Sequence, residues 1–479
     1  MHQIEVIVSL TPRAWQQRLI DRLTGAGHDV AIGVAESIDE IPTATRLALT
    51  IERKLLRRAT GMTAPTAIGP RPSMATPELR IDLTGQAPSD TAPTMQIAFD
   101  GNFSDAAMLS TLADGRLPDV EIVLNGGLFQ RGAPMADNRI FVAPAADDIL
   151  TRTITLVLKA VDRFGRGERA TTPYLSISSR LPFGLTYLTS TVPRIGREAL
   201  RRSRYRYAHW RVGYRLIDGP GVAETVALGG GWAVLPDDGT HFYADPFPFE
   251  HNGRHFIFVE DYPHATGKAV ISVSALDDNG VAGPPVPVLD ESHHLSYPQV
   301  FAHDGQIWML PEGSGSGRLT LYRAAHFPDR WEPAAVLLEG EISDATLLIR
   351  DDGCWLFATS RDGGGSTSDT QVVFHAPALT GPWTPHVQNP ILIDRRRARP
   401  GGAVILQGDR LVLPVQDGTI GYGGGLGLSE VTRLDAEAVE LSEPHLISGA
   451  GDFPYPQIHT LNRAGRLEVV DGIAAVRKR

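Results

Sequence analysis

The pattern of hydrophobic and polar positions changes near the middle of the chain. Over residues 1–190, short apolar runs alternate with amphipathic stretches. This pattern predicts helices and strands in turn, and the alternation indicates an open, partly parallel α/β sheet of Rossmann type. The predicted helices are 11–23, 43–58 and 104–112, and the predicted strands are 4–10, 29–34, 79–83, 95–99, 120–124 and 139–142. Residues 60–77, rich in Pro, Thr and Gly, are predicted to form a loop or linker.

From residue 229 to residue 479 the pattern is a repeated β-hairpin. Two apolar runs flank a turn glycine, and this unit recurs at Gly253, Gly305, Gly353, Gly408 and Gly465. Further strand-like runs follow each hairpin. About four strands per unit, at a nearly constant spacing, predict a five-bladed β-propeller. Residues 229–235 are predicted to add the outer strand of the last blade. Two separate β-sandwiches are the competing interpretation.

A propeller of this kind brings chemically active residues to one mouth of its central channel. The first strand of each blade lines the channel and the second runs back, so first-strand starts meet second-strand ends. The predicted starts are Asp245, Tyr297, Asp344, Arg399 and Tyr455, and His459 lies farther along the fifth first strand. The predicted ends include Glu260, Glu312, Arg361, Asp362, Gln416, Asp417 and Asp471. Carboxylates and amides bind sugar hydroxyls, and aromatic rings stack on sugar C–H faces. Alternatively, a single carboxylate caps backbone N–H groups between blades.

A basic stretch separates the two parts and is predicted to be a linker, residues 191–228. Eight arginines between 194 and 215 interleave with Tyr205, Tyr207, Trp210 and Tyr214. One interpretation is an amphipathic linker helix whose aromatic rings dock on a neighbouring domain. The other is peripheral contact with anionic lipid, or with a phosphorylated substrate. The net charge of −10 argues against nucleic acid as a partner.

Composition excludes several kinds of site. The single cysteine, Cys354, rules out a disulfide framework and a cysteine-based zinc cluster. His293 and His294 have no acidic residue or histidine at metal-ligand spacing, and the glycine-rich segment 421–427 is interpreted as a tight loop over the channel. We therefore expect neither a metal nor a cofactor. The chain opens without a signal-peptide pattern and has no long apolar run, so a cytoplasmic location is expected.

Asp245-Pro246, followed by a blade hairpin, resembles the five-bladed furanosidase-type glycoside hydrolases. The resemblance implies that Asp245 is a general base and that Asp344 tunes pKa values and binds hydroxyls. The general-acid glutamate of that group has no counterpart here, since Arg399 begins the corresponding motif. Glu312 is the candidate acid in its place.

The segments 293–312, 321–331, 398–405, 414–423 and 458–462 resemble the N-terminal propeller of plant glucosamine inositolphosphorylceramide transferases and their bacterial relatives. In the plant proteins a separate C-terminal domain carries the glycosyl transfer. Residues 119–129 resemble the strand and turn near the folate site of formyltransferases, with Asn125 at the position of the family asparagine. The remaining catalytic residues of that family are not evident.

These observations predict a carbohydrate-active enzyme that makes or breaks a glycosidic bond at the propeller mouth. Asp245, Asp344 and Glu312 are the predicted catalytic residues. Tyr297, Glu260, Arg361, Arg399, Gln416, Asp417 and His459 are predicted to bind a sugar, glycolipid or sugar-phosphate substrate. Transfer is favoured over hydrolysis because Arg399 stands where hydrolases place their acid, and an arginine suits a phosphate leaving group.

Two alternatives stay open. One is a non-catalytic module that binds a sugar or a glycolipid. The other is a formyl or acyl transferase that acts on an amino sugar through residues 1–190, which predicts a pocket beside Asn125. The sugar, the linkage and the oligomeric state are not predicted.

Overall fold

A computed structural model describes residues 1–36, 41–58, 61–69, 76–86, 92–170, 172–176, 182–206, 208–361 and 363–478. Parts of the predicted linker 60–77, together with Tyr207 and Asp362, lie outside these residues. The chain divides into two compact units. The first comprises Met1–Arg201 and Gly363–Ser366, and the second comprises Arg202–Asp362 and Thr367–Arg479.

The first unit contains a mixed seven-stranded sheet with the order β2-β1-β3-β4-β5-β6-β7. The strands from β2 to β4 in this order run parallel, and those from β4 to β7 pair antiparallel. Its strands are β1 (Gln3–Ser9), β2 (Asp29–Ala35), β3 (Leu79–Asp82), β4 (Thr94–Phe99), β5 (Val120–Leu124), β6 (Gly127–Gly132) and β7 (Thr172–Pro173). Its helices are α1 (Ala14–Gly25), α2 (Thr43–Leu55), α3 (Asp105–Ala113), α4 (Val142–Gly165), α5 (Phe183–Thr186) and α6 (Val192–Arg204), which continues into the second unit. A π-helical turn, Tyr187–Thr191, joins α5 to α6.

The partly parallel α/β sheet expected for this part of the chain is therefore present, while its Rossmann and formyltransferase assignments stay predictions. The strand predicted at 139–142 is wrong. Asn138 accepts hydrogen bonds from the backbone N–H groups of Ile140 and Phe141, and this turn leads directly into α4. The apolar residues that follow belong to the long helix α4, which packs against the sheet. Their spacing is therefore helical and does not indicate a strand. No helix within the described ranges is both long and apolar enough to cross a membrane.

The second unit is a propeller of five blades. The first four are consecutive sheets, with the strand orders β11-β12-β13-β14, β15-β16-β17-β18, β19-β20-β21-β22 and β24-β25-β26-β27. Apolar clusters fill the space between neighbouring blades, as around Phe258 and Met309 between blades one and two. Similar clusters lie at the other four blade interfaces. The propeller prediction is confirmed.

The strands of the second unit before the third blade are β8 (Trp210–Leu216), β9 (Ala227–Gly229), β10 (Ala233–Val234), β11 (His241–His251), β12 (Arg254–Pro263), β13 (Val270–Ala275), β14 (Val286–Leu289), β15 (Ser296–His303), β16 (Gln306–Glu312), β17 (Arg318–His326) and β18 (Arg330–Glu339). They are followed by β19 (Ile342–Arg350), β20 (Gly353–Ser360), β21 (Thr370–Ala376), β22 (Thr384–Pro385), β23 (Leu392–Ile393), β24 (Ile405–Gln407), β25 (Arg410–Gln416), β26 (Leu426–Leu434), β27 (Val439–Leu441), β28 (His445–Leu446), β29 (Ser448–Gly451), β30 (Ile458–Ala464) and β31 (Leu467–Ile473). A short helix, α7 (Val222–Thr225), precedes β9, and a 3₁₀ turn, Ser314–Ser316, follows β16.

The fifth blade joins the two ends of the propeller sequence. It has the order β10-β8-β31-β30, so two strands from before the first blade complete the last one. The outermost strand, β10, lies within the predicted segment 229–235. The third strand, β8, lies within the predicted linker 191–228 and is instead part of the propeller. Arg215 interrupts the alternation of apolar and polar residues in β8, because its charged side chain is buried against Glu468 of β31.

Candidate functional site

The backbone at the inner ends of three blades has an unusual conformation. Asp245, Tyr297 and Asp344 each have φ near +48°, at the bulge that interrupts the inner strand of their blade. A left-handed backbone at a residue other than glycine costs about 1 kcal/mol or more, and such strain is concentrated at functional sites. In the fifth blade the corresponding bulge lies between Ile458 and Leu461. The register therefore places His459 at the equivalent position, and the prediction for Tyr455 is wrong.

A cavity of about 700 Å³ opens at this end of the propeller. Its lining combines acidic, basic and aromatic side chains. They are Arg206, Ala208, Trp210, Phe242, Asp245, Glu260, Tyr262, His264, His294, Ser296, Glu312, Arg399, Tyr422 and Lys478.

Asp245 is a buried acidic group of the site, next to a buried histidine. His459 Nε2 lies 3.1 Å from Asp245 Oδ1, and His459 Nδ1 lies 2.8 Å from Asp471 Oδ1. Burial raises the pKa of Asp245, and the charges of Asp344 and Asp471 add to this, against the opposing effect of His459. Burial alone would lower the pKa of His459, but Asp471 and Asp245 together raise it to about 10. The imidazolium is therefore held between two carboxylates at neutral pH.

Asp245, His459 and Asp471 also offer three atoms close enough to hold a metal ion. Asp471 is poorly suited to this role, because its oxygens already accept hydrogen bonds from the backbone N–H groups of Asp245, His459 and Thr460. These contacts satisfy the N–H groups at the bulges of two blades. Asp471 therefore has the structural role considered above: its carboxylate caps backbone N–H groups where two blades meet.

Arg399 is held in place by Asp344 on the third blade. Its Nε donates to Asp344 Oδ2 at 2.5 Å and its Nη2 to Oδ1 at 3.0 Å, while Nη1 donates to Ser368. Gln416 donates a further hydrogen bond to Asp344. Burial raises the pKa of Asp344 to about 7, although Arg399 opposes this. Burial alone would lower the pKa of Arg399, but Asp344 raises it well above its ordinary value.

Two further carboxylates face the cavity from the ends of second strands. Glu312 Oε1 accepts a hydrogen bond from Ser314, and Oε2 lies 3.7 Å from Arg399 Nη2 without bonding to it. Glu260 Oε1 lies 3.2 Å from His294 Nε2. Burial raises the pKa of Glu260, with His294 opposing it. Burial alone would lower the pKa of His294, but the Glu260 carboxylate raises it above its ordinary value.

Aromatic rings form the remaining wall. Phe242 and Tyr262 stack with ring centroids 4.6 Å apart, and Trp210 lies 4.0 Å from the ring of His459. Tyr422 comes from the glycine-rich segment 421–427 and lies under the Arg399 guanidinium. Its position agrees with the predicted loop over the channel. The site thus combines acidic groups with flat aromatic faces.

The structure distributes the predicted site residues over three positions. Asp245, Glu260, Glu312 and Arg399 line the cavity, and Asp344, Gln416 and His459 form the layer that contacts them. Tyr297 is buried inside the channel, where its hydroxyl contacts Thr346 and accepts a hydrogen bond from Gly402 N–H.

Neither Arg361 nor Asp417 is part of the cavity lining. Arg361 faces Glu341 at 3.9 Å, and Asp417 accepts a hydrogen bond from Thr419 N–H in a turn. Both side chains extend from the turns after their strands, where the register no longer directs them towards the channel.

Several lining residues were not predicted as site residues. Trp210, Phe242, Tyr262, His264 and Lys478 come from strand ends and from the C-terminal segment. Their positions relative to the turn glycines do not identify them. An available signal is the pair Tyr262 and His264, an aromatic residue and a histidine at the end of the second strand of the first blade.

Stability is expected to fall with rising pH because of His459. Its folded-state pKa of about 10 lies above the ordinary histidine value of 6.5. The stabilisation is therefore complete below pH 6.5 and is lost as pH rises from 6.5 to about 10. We expect the unfolding free energy to fall by about 4–5 kcal/mol across this range, since one pKa unit corresponds to about 1.4 kcal/mol.

The measurement is urea unfolding at pH 6, 8 and 10. His459→Gln should remove most of the slope, and His326→Gln, at an exposed histidine, should keep it. An unchanged slope in His459→Gln would show that other groups cause the pH dependence.

The first unit has its own cavity of about 780 Å³ beside Asn125. Asn125 and Gly126 both have positive φ and form the tight turn between β5 and β6. Asn125 Oδ1 accepts a hydrogen bond from Thr94 N–H. The asparagine therefore has a turn-forming role, and a formyl or acyl transfer site here stays a prediction.

The fold and the cavity define a five-bladed propeller with an acidic, aromatic-walled site. Residues 233–447 match the family described as "Glucosamine inositolphosphorylceramide transferase 1, N-terminal". The resemblance predicted for the propeller is thereby confirmed. The match covers the first four blades and stops before the inner strand of the fifth.

Curated relatives show the same similarity. Glucosamine inositolphosphorylceramide transferase 1 of Arabidopsis thaliana is 32% identical over 202 residues, covering 41% of this chain and 26% of the relative. The protein of the same name from Oryza sativa subsp. japonica is 33% identical, covering 41% and 27%. The matched region thus spans about a quarter of these relatives.

Solved structures with a similar fold include glycoside hydrolases. A thermostable family-43 glycoside hydrolase has a TM-score of 0.36 at 12% identity, covering 45% of this chain and 82% of that one. The catalytic domain of a GH62 alpha-L-arabinofuranosidase from Coprinopsis cinerea has a TM-score of 0.35 at 13% identity, covering 55% and 97%.

Proposed function

We propose that the propeller cavity binds a sugar and that its carboxylates make or break a glycosidic bond. One observation carries this proposal. Glu312 Oε2 is buried and has no hydrogen-bond donor among the described residues, and Asp245 Oδ1 is buried with His459 Nε2 3.1 Å away, outside hydrogen-bond geometry. Buried carboxylate oxygens without donors are rare in folded proteins. Hydroxyl groups of a sugar held between these oxygens and the aromatic wall would supply the missing donors.

The roles follow from the surroundings of each carboxylate. Asp245 acts as general base, because burial raises its pKa towards the range useful for proton transfer. Glu312 is the candidate acid, since its Oε2 is free of protein donors within the described ranges. Asp344 acts on the site through Arg399, whose Nη2 lies 3.7 Å from Glu312 Oε2.

Within this proposal, glycosyl transfer is favoured over hydrolysis. The relatives that match residues 233–447 are named as transferases, and a phosphate leaving group needs cations at the mouth. Arg399 is mostly occupied by Asp344 and Ser368, so it is less suited to phosphate than the sequence indicated. Arg206 and Lys478 line the same cavity and take over this role in the proposal.

The experiment is a titration of the full chain with glucosamine, inositol and arabinose, in which isothermal titration calorimetry measures binding. Trp210 lines the cavity, so binding should also change tryptophan fluorescence, and Trp210→Phe should remove most of that change. Sugars that bind are then tested as acceptors with nucleotide-activated sugars, with the products identified by mass spectrometry. If neither the two sugars nor inositol binds, the proposal that the cavity binds a sugar is contradicted.

A second part of the proposal concerns contact with anionic lipid. Leu185, Leu188, Val192 and Leu200 are exposed and lie three, four and eight residues apart along the helical segment 183–204. Arg197 and Arg201 lie on α6 beside them. Trp210 and Tyr214 are buried in the propeller, so they do not belong to this lipid-facing surface, contrary to one interpretation of the stretch 194–215.

Sedimentation with vesicles tests the lipid contact. Vesicles that contain phosphatidylglycerol should bind the chain, and phosphatidylcholine vesicles should not, because exposed leucines next to arginines favour an anionic surface. Leu188→Ser should weaken binding several-fold. Leu406→Ser, at an equally exposed leucine of the propeller, is the matched control. Equal binding of both variants would contradict the proposed surface.

A further inference from the structure

A chain of three side chains leads from the edge of the fifth blade to the cavity. Asp237 Oδ2 lies 2.8 Å from His209 Nε2, and His209 Nδ1 lies 3.2 Å from His264 Nε2. The two imidazole rings stack with centroids 5.4 Å apart. Asp237 and His209 are almost completely buried, whereas His264 lines the cavity.

The hydrogen-bond pattern determines which atom carries each proton. Asp237 accepts hydrogen bonds from Arg211 and from the backbone N–H of Gly239 as well as from His209, so it is an ionised acceptor. His209 must therefore place a proton on Nε2 to face Asp237. In the neutral ring this leaves Nδ1 of His209 with a lone pair.

The same argument determines which nitrogen of His264 carries the proton. The lone pair on His209 Nδ1 accepts from His264 Nε2, which therefore carries the proton. His264 Nδ1 then keeps its own lone pair. No described residue bonds to this nitrogen, and it is not among the buried unpartnered atoms. It is thus open to the cavity that His264 lines.

We propose that Asp237 and His209 fix the tautomer of His264, so that Nδ1 accepts a hydrogen bond from a hydroxyl group of a ligand in the cavity. His264 is then a binding residue, and Asp237 and His209 are positioning residues. The contact with a sugar rests on the proposed function, but the tautomer does not. The arrangement adds a neutral acceptor to a site whose other acceptors are carboxylates.

The charged surroundings of His264 keep this acceptor available in acid. Burial, followed by the charge of the neighbouring Arg206, lowers the pKa of His264 to about 4, while Asp237 opposes them. An ordinary histidine, with a pKa of about 6.5, is mostly protonated at pH 5. His264 stays neutral at that pH and continues to accept hydrogen bonds.

The test is nuclear magnetic resonance of the full chain with ¹⁵N-labelled histidine. The His264 signals are assigned by their loss in His264→Phe. At pH 7 we expect a protonated Nε2 and an unprotonated Nδ1. His209→Phe keeps a stacking ring but removes the acceptor, so the His264 nitrogens should move towards averaged tautomers. His326→Phe, at an exposed histidine, is the control. A protonated Nδ1 in the unsubstituted protein would overturn the proposal.

A second measurement separates this inference from the proposed function. A sugar that binds by calorimetry should shift the Nδ1 resonance of His264, and His264→Phe should weaken its affinity about tenfold. Binding without either effect overturns the ligand contact. If none of the sugars binds, the proposed function and the ligand contact both fail, while the tautomer is still decided by the first measurement.

Discussion

Asp245→Asn is expected to reduce turnover by about 10²- to 10⁴-fold while changing sugar affinity only a few-fold. This is the usual contribution of a general base. Asparagine has nearly the same shape as aspartate, and the Asp471 contact is made by the backbone N–H of residue 245, so the local structure should persist. The measurement is kcat and KM for the sugar pair identified by titration.

Asp278→Asn is the matched control for this prediction, because Asp278 lies in an exposed turn of the same blade. It should behave like the unsubstituted protein. If Asp245→Asn instead loses affinity and turnover in equal proportion, Asp245 contributes binding alone. If a sugar binds but no turnover is found with any donor, the non-catalytic sugar-binding module is the better description.

Arg399→Met is expected to destabilise the propeller by about 3–5 kcal/mol. Removing one partner of a buried ion pair leaves the other charge without compensation, and this costs far more than the pair itself contributes. Asp344 is only 1% exposed, so water cannot replace the lost guanidinium. The measurement is urea unfolding at pH 8, read as the change in midpoint at constant slope.

The loss should be smaller at pH 5 than at pH 8. Burial already holds the pKa of Asp344 at about 7 with Arg399 present, and the substitution removes an effect that lowers it. A carboxyl group with a raised folded-state pKa takes up a proton as pH falls, so the uncompensated charge disappears.

Two variants frame this prediction. Arg399→Met combined with Asp344→Leu removes both charges and should recover much of the stability. Arg410→Met breaks an exposed pair with Glu430 and should leave the unfolding midpoint almost unchanged. A loss in Arg399→Met no larger than in Arg410→Met would show that the Asp344–Arg399 pair is not important for the fold.

The blades of the propeller are the part of the structure that the sequence predicted best. Each hairpin is a local feature, in which a turn glycine joins two apolar runs that pair directly. The repetition of this unit therefore predicted the blades, and the strand ends predicted Asp245, Glu260, Glu312 and Arg399 at one mouth. Counting from the glycines misplaced the fifth blade, because the bulge at His459 lies six residues before Gly465, whereas Asp245 and Tyr297 lie eight residues before their turn glycines.

Spacing from the turn glycines does not predict contacts between distant segments. The β8 strand enters the fifth blade only by pairing with β31, more than 250 residues away, and its arginines gave it the composition of a linker. The chain Asp237–His209–His264 depends on the same pairing, since His209 directly precedes β8. Nothing in the local sequence indicates these partners.

The sequence by itself thus determined the repeated hairpins, the five-bladed architecture and the acidic character of one channel mouth, because these depend on turn residues and on the period of apolar side chains. Only the tertiary structure decided which charges neutralise one another. It paired Arg399 with Asp344, placed His459 between Asp245 and Asp471, and left Glu312 Oε2 without a hydrogen-bond donor among the described residues. Such pairings depend on side-chain directions across different blades, and these directions exist only once the ring of blades has closed.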